Sequence, residues 1–176
     1  MNSTSGRNRA EYLDLRQRYE PENTRLVIIA ESPPASGKYF YDPAGSPSEP
    51  LFAALMMQLR VFPLTKEEGL REFQRRGWVL VDATYEPVNE LISKSSRNRV
   101  IERAYPLLRD DLASLMSDRS IPIVLIKENV CRILRPKLVQ DGFNVLNGER
   151  LIYFPSTSRQ KEFHRQFSAI LESAEI

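Results

Sequence analysis

Arg25-Leu26-Val27-Ile28-Ile29-Ala30-Glu31-Ser32-Pro33-Pro34 decides the fold of this chain. Its first six residues are β-rich and apolar on both alternating faces, the pattern of a strand covered on both sides. The apolar run then passes directly into a carboxylate and two prolines. From Glu31 to Pro50 the chain carries Pro33, Pro34, Pro43, Pro47 and Pro50 among serines and glycines, a composition that excludes regular structure. A buried strand opening into a long polar loop is the first half of an α/β unit.

The rest of the chain repeats that grammar. Helices are predicted from Pro50 to Leu59 and from Thr65 to Arg76, the second opening with Thr65 three residues before Glu68 in capping-box style and stopping at Gly77. Trp78-Val79-Leu80-Val81 reads as a second buried strand, residues 83 to 98 as a polar loop, and Arg99 to Met116 as a helix. Ile121 to Ile126 gives a third strand, Asn129 to Gln140 a helix ending at Gly142, and Arg150 to Phe154 a short fourth strand. Ser158 opens a last helix with Phe163, Phe167, Ile170 and Leu171 on one face. On the amino side, residues 1 to 7 read as a loose polar tail. Tyr12, Leu15 and Tyr19 then mark a short amphipathic helix ending before Pro21. The division is therefore a tail and helix over residues 1–23 and a single domain over 24–176. Strands alternating with helices predict an α/β fold, a three-layer α/β/α sandwich around a mostly parallel four-stranded sheet.

Composition bounds the chemistry. The 176 residues are 41% hydrophobic and 27% charged, enough for one substantial core. No stretch approaches the roughly 18 apolar residues of a membrane helix, and the first twenty residues hold no apolar leader segment. The expectation is a cytoplasmic monomer with no membrane partner. One cysteine, Cys131, and one histidine, His164, exclude a metal or iron-sulfur site built from several such residues of this chain, so neither metal nor cofactor is expected. The net charge of +2 means that any nucleic-acid argument must rest on local clustering.

In doubly wound folds ligands bind beyond the carboxyl ends of the strands. Three such places hold unusual residues: Ala30-Glu31-Ser32-Pro33-Pro34, Asp82-Ala83-Thr84, and Phe154-Pro155-Ser156-Thr157-Ser158. In order and in residues the chain resembles the uracil-DNA glycosylase superfamily, nearest its thermostable iron-sulfur branch. The Gly-Glu-Ala-Pro-Gly motif of that branch is matched by Ala30 to Pro34, its Gly-x-Pro-Phe by Gly37-Lys38-Tyr39-Phe40, and its strand-ending asparagine by Asp82. Its Asn-Arg helix with a glutamate and Pro-x-Leu is matched by Asn98-Arg99, Glu102 and Tyr105-Pro106-Leu107-Leu108, and its His-Pro-Ser by Phe154-Pro155-Ser156. The likeness spans roughly residues 24 to 170. Three departures stand out: the cluster cysteines are absent, the asparagine is Asp82, and the histidine is Phe154.

The resemblance implies a DNA base-excision glycosylase, with damaged or single-stranded DNA as its partner. Such an enzyme extrudes its target nucleotide and reads the exposed base by stacking and edge hydrogen bonds. Glu31 would then orient or activate water; the plainer alternative is a solvent-facing loop carboxylate capping a backbone amide. Asp82 only accepts hydrogen bonds when ionised, whereas asparagine also donates, so this residue disfavours uracil unless its carboxyl is protonated. It could equally be a strand-end carboxylate or helix cap. Phe154 cannot donate to a departing base. Phe40 supplies a stacking ring, or else Tyr39, Phe40 and Tyr41 pin the loop to the core. Ser32, Lys94, Arg97, Arg99, Ser156, Ser158 and Arg159 are the candidate phosphate contacts, since hydroxyls beside arginines suit phosphate oxygens. His164 reads as an ordinary helix-surface or partly packed residue, and Cys131 as a small core residue. Because fold does not fix function, a non-catalytic nucleic-acid-binding relative and a nucleotide or small-molecule binder remain alternatives.

Overall fold

The computed structural model describes residues 6–91 and 93–176. Its centre is a parallel sheet of four strands in the order β2-β1-β3-β4, with β1 at Leu26–Ala30, β2 at Trp78–Asp82, β3 at Pro122–Leu125 and β4 at Asn144–Val145. Helices α1 (Arg9–Gln17), α2 (Pro50–Gln58), α3 (Lys66–Arg75), α4 (Lys94–Leu115), α5 (Glu128–Gln140) and α6 (Gln160–Ser173) surround it.

The alternation of β1 sorts the core into two halves. Leu26, Ile28 and Ala30 join Tyr12, Phe52, Leu70, Phe163 and Phe167 of α1, α2, α3 and α6. Val27 and Ile29 face the other way, toward Ile101, Leu108, Val130 and Leu134 of α4 and α5. Two apolar faces on one strand therefore generate the three-layer α/β/α arrangement that the sequence predicts. Local signals hold at α3: Thr65 Oγ1 accepts from the Glu68 amide at 3.2 Å while the Glu68 carboxylate accepts from the Thr65 amide at 3.4 Å. Gly77 follows with φ of 75°, and a Cβ there would meet the Asn23 carbonyl at 2.8 Å, so only glycine fits this turn.

Two elements depart from the sequence reading. Residues 150–154 form no strand, and the fourth strand is the two-residue β4 earlier in the chain. The cause is Asn147, which is fully buried. Its Oδ1 accepts from the Leu125 amide at 2.8 Å and its Nδ2 donates to the Leu125 carbonyl at 3.0 Å. A side-chain amide thus takes the edge bonds of β3 that residues 150–154 would have used. From this segment Ile152 O joins the rim, accepting from the Lys127 amide at 2.7 Å. The other departure is α4, which starts at Lys94 rather than Arg99, capped by Ser93 Oγ accepting from the Ser96 amide at 3.0 Å. Residue 92 of the expected 83–98 loop lies outside the described residues.

At the amino end, residues 1–5 of the expected loose tail also lie outside the described residues. Arg7 is fixed, donating to the Gly37 carbonyl at 2.8 Å and pairing with Asp42. Helix α1 is bound into the core through Tyr12 and the neighbouring Tyr19. Arg16 is 2% exposed and donates to both carboxylate oxygens of Asp111, each at 2.7 Å, and to Tyr85 Oη at 2.8 Å. The proline-rich loop is anchored by Lys66, buried on α3, whose Nζ donates to Tyr39 O and Glu49 Oε2, each at 2.6 Å. Among the described residues no helix is long and apolar enough to cross a membrane.

Candidate functional site

Register sets the site. Ala30 pairs with Asp82 on one side of β1, and Ile29 pairs with Leu125 on the other. Continuing each register beyond the strand ends brings Glu31 level with Lys127. At this carboxyl edge lies a cavity of about 360 Å³, its wall shared by Glu31, Ser32, Phe40, Leu80, Asp82, Lys127 and Phe154. That size lies at the lower end of the range for small-molecule sites.

Glu31 is only 7% exposed, not the solvent-facing carboxylate of the plainer sequence alternative. Its Oε1 accepts from Lys127 Nζ and its Oε2 from Asn129 Nδ2, both at 2.5 Å. Each oxygen keeps a second lone pair for a further donor. Lys127 has φ of 86°, left-handed backbone on a non-glycine residue at a strand-to-helix turn. Such a conformation costs about 1–3 kcal/mol and persists where surrounding contacts impose it. Its side chain remains 33% exposed toward the cavity.

Asp82 is 4% exposed, and its Oδ2 is buried with no hydrogen-bond partner among the described residues. Burial pushes its carboxyl up to about 7, the positive charge of Arg16 pulls it back, and the negative charge of Glu31 adds to the rise. Near neutral pH this group therefore changes between acceptor and donor. It also touches a second cavity of about 360 Å³ lined by Thr84, Tyr85, Arg103, Leu107 and Asp111.

Phe40 forms part of the cavity wall while packing edge-on against Tyr41 and Phe73, with ring centroids at 5.0 and 5.2 Å. Tyr39 and Tyr41 are almost wholly buried, so the three aromatics do pin the loop to the core. Phe154, at 39% exposure, borders the same cavity. Ser32 also reaches it, although its Oγ accepts from the Val88 amide at 3.3 Å.

The remaining candidates stand elsewhere. Ser156 and Ser158 are outside the cavity lining, with their hydroxyls 3.4 Å apart. Ser156 follows Phe154 by two residues and does not share the cavity lining with Glu31 and Asp82. Arg159 lies over the Tyr153 ring at 4.2 Å and pairs with Glu162 at 3.4 Å. Lys94, Arg97 and Arg99 occupy the first turns of α4, where Lys94 and Arg99 are exposed and Arg97 Nε is buried without a partner among the described residues. Arg103 pairs with Glu86 at 2.9 Å across an exposed surface. His164 Nδ1 contacts Gln58 Nε2 at 2.9 Å, burial lowers its pKa, and it lines neither cavity. Cys131 is a buried core residue.

Lys127 and Asn129 are the site residues that sequence reasoning missed. The signal was available: the strand-end rule applies after Ile126 as it does after Ala30 and Asp82. Among the described residues no group of three or more histidine, cysteine, aspartate or glutamate side chains could hold a metal ion. No family model matches the chain, and no curated protein matches its sequence.

Proposed function

We propose that this protein is a uracil-DNA-glycosylase-like enzyme, a cytoplasmic monomer that hydrolyses the N-glycosidic bond of a base extruded from DNA. One observation supports the reading most: a single cavity of about 360 Å³ gathers Glu31, Asp82, Phe40 and Phe154 at the carboxyl edge of the sheet. A base entering it meets two aromatic rings and two carboxyls. In the reaction the bond from the sugar C1′ to the base nitrogen breaks, its electron pair leaving with the base. A water oxygen bonds to C1′, and the proton it sheds passes to Glu31 and then to the base. Phe40 and Phe154 supply apolar contact for the base, and Asp82 reads its edge. Above about pH 7 an ionised Asp82 favours bases offering amino or ring N–H groups; below that, the protonated carboxyl can donate to a carbonyl such as that of uracil. The basic turns of α4, with Lys94, Arg97 and Arg99, together with Ser32, Ser156, Ser158 and Arg159, are the proposed phosphate contacts.

A second reading, nucleic-acid binding without turnover, is favoured by the engagement of both Glu31 oxygens with Lys127 and Asn129. Oligonucleotides carrying uracil, hypoxanthine, xanthine or common damaged bases separate the two. Incubation followed by alkaline cleavage should reveal abasic sites on at least one substrate, and Glu31→Gln should abolish them. Binding without cleavage of any substrate selects the second reading. Absence of DNA binding at low salt refutes both nucleic-acid readings.

A further inference from the structure

The geometry points to Lys127 as an anion-binding group of this cavity, its ammonium receiving either the negative charge of a deprotonated or departing base or a nucleotide phosphate. Two independent observations carry this. The first is electrostatic: Lys127 Nζ is 2.5 Å from Glu31, a carboxylate 7% exposed, while the lysine side chain keeps 33% of its surface open and lines the cavity. Glu31 takes one hydrogen of this ammonium, which has three N–H bonds to give. Among the described residues Glu31 is the only hydrogen-bond partner of this Nζ. Two N–H bonds are left for a ligand.

The second observation is conformational. At φ of 86° glycine would sit without strain, whereas a β-carbon there is penalised. The side chain is not needed merely to satisfy Glu31, which already has the Asn129 amide at 2.5 Å. A long cation in a glycine-like turn, directed into a cavity, matches the pattern in which backbone strain accompanies binding. It also answers a chemical deficit: Phe154 offers no donor to an anion in the same cavity.

The inference rests on the reading of the cavity as a nucleotide pocket but not on turnover. Its test is therefore a binding measurement. By calorimetry at about pH 8, 5-nitrouracil, an anion there, is compared with neutral uracil, and thymidine 5′-monophosphate with thymidine. The first pair reports a base anion and the second a phosphate. The wild-type protein should prefer the anion in at least one pair by about tenfold or more, the value of a charge-assisted hydrogen bond. Lys127→Met and Lys127→Gly should both lose that preference, and Lys127→Arg should recover part of it. Lys127→Gly should also melt no lower than Lys127→Met, because it relieves the left-handed turn. Lys161→Met, exposed on α6 and outside the cavity lining, is the charge control. Equal binding of anion and neutral partner in both pairs, or a preference that survives loss of Lys127, overturns the proposal. So does a preference lost instead with Lys38→Met on the exposed rim. If none of the four compounds binds, both this inference and the pocket reading fall. Lys127-dependent anion binding without base excision removes the glycosylase alone.

Discussion

Replacing Asp82 with asparagine should make the stability of this protein much less dependent on pH. The carboxyl is 4% exposed, and its pKa rises from an ordinary 3.8 to about 7 in the fold. Because the folded value lies above the unfolded one, the native state binds the extra proton. Asp82 therefore costs nothing below about pH 4, costs progressively more between about pH 4 and 7, and reaches a plateau above. The two values differ by 7 − 3.8, about three pH units, which at about 1.4 kcal/mol each places that plateau near 4 kcal/mol. Between about pH 5 and pH 8 the wild type should lose about 3 kcal/mol relative to Asp82→Asn. The amide introduces its own hydrogen-bonding cost, but that cost is independent of pH and cancels in the comparison. Urea unfolding of both proteins at the two pH values, with equal m-values as a check, measures it. Stabilities that change in parallel, within about 0.5 kcal/mol, would refute the assignment of a neutral buried carboxyl and with it the donor role below pH 7.

Asn147→Leu should destabilise by about 2–4 kcal/mol in urea unfolding, because it orphans the Leu125 amide and leaves the Leu125 carbonyl only the weak Cys131 thiol donor; a loss under about 1 kcal/mol would mean that residues 150–154 re-form the missing strand. Asp111→Ala should cost about 3–5 kcal/mol by leaving the Arg16 guanidinium buried beside only Glu20 and Tyr85, and an unchanged denaturation midpoint would contradict it. Joint replacement of Arg97 and Arg99 by alanine should reduce the logarithmic salt slope of DNA binding by about 2, as measured by fluorescence anisotropy, with an unchanged slope removing these turns from the interface. Phe154→His places a donor beside the cavity and should raise uracil excision by on the order of 10²-fold, whereas no gain would show that the missing donor does not limit the reaction.

The layers of the fold were legible because β1, β2 and β3 are apolar on both faces, a pattern with few competing explanations. The fourth strand was misplaced for a reason invisible to periodicity: Leu151, Ile152 and Tyr153 look like a strand, but the side chain of Asn147 already occupies the edge they needed. The start of α4 was read late because its apolar spacing begins only at Val100, while its first turn is entirely polar. Glu31 and Asp82 were found by position, since the residues just past parallel strands share a rim. Lys127 was passed over because Lys127-Glu128-Asn129 resembles an ordinary solvated helix start, and only glycine advertises a left-handed turn in sequence. The basic residues of α4 and the final turn were recognised by type, but the residues lining a cavity depend on tertiary packing that type does not encode.

The bond between Arg16 and Asp111 joins positions 95 residues apart. During synthesis at about 5–20 residues per second, roughly 5–20 s separate the appearance of these two partners. A nine-residue helix is marginal by itself in water, so α1, made before α4, gains its Asp111 anchor only once α4 has followed. Tyr12 on the same helix meets Tyr39 of the loop behind the cavity, with ring centroids at 4.8 Å. A nascent chain halted before Asp111 should therefore leave α1 open to protease.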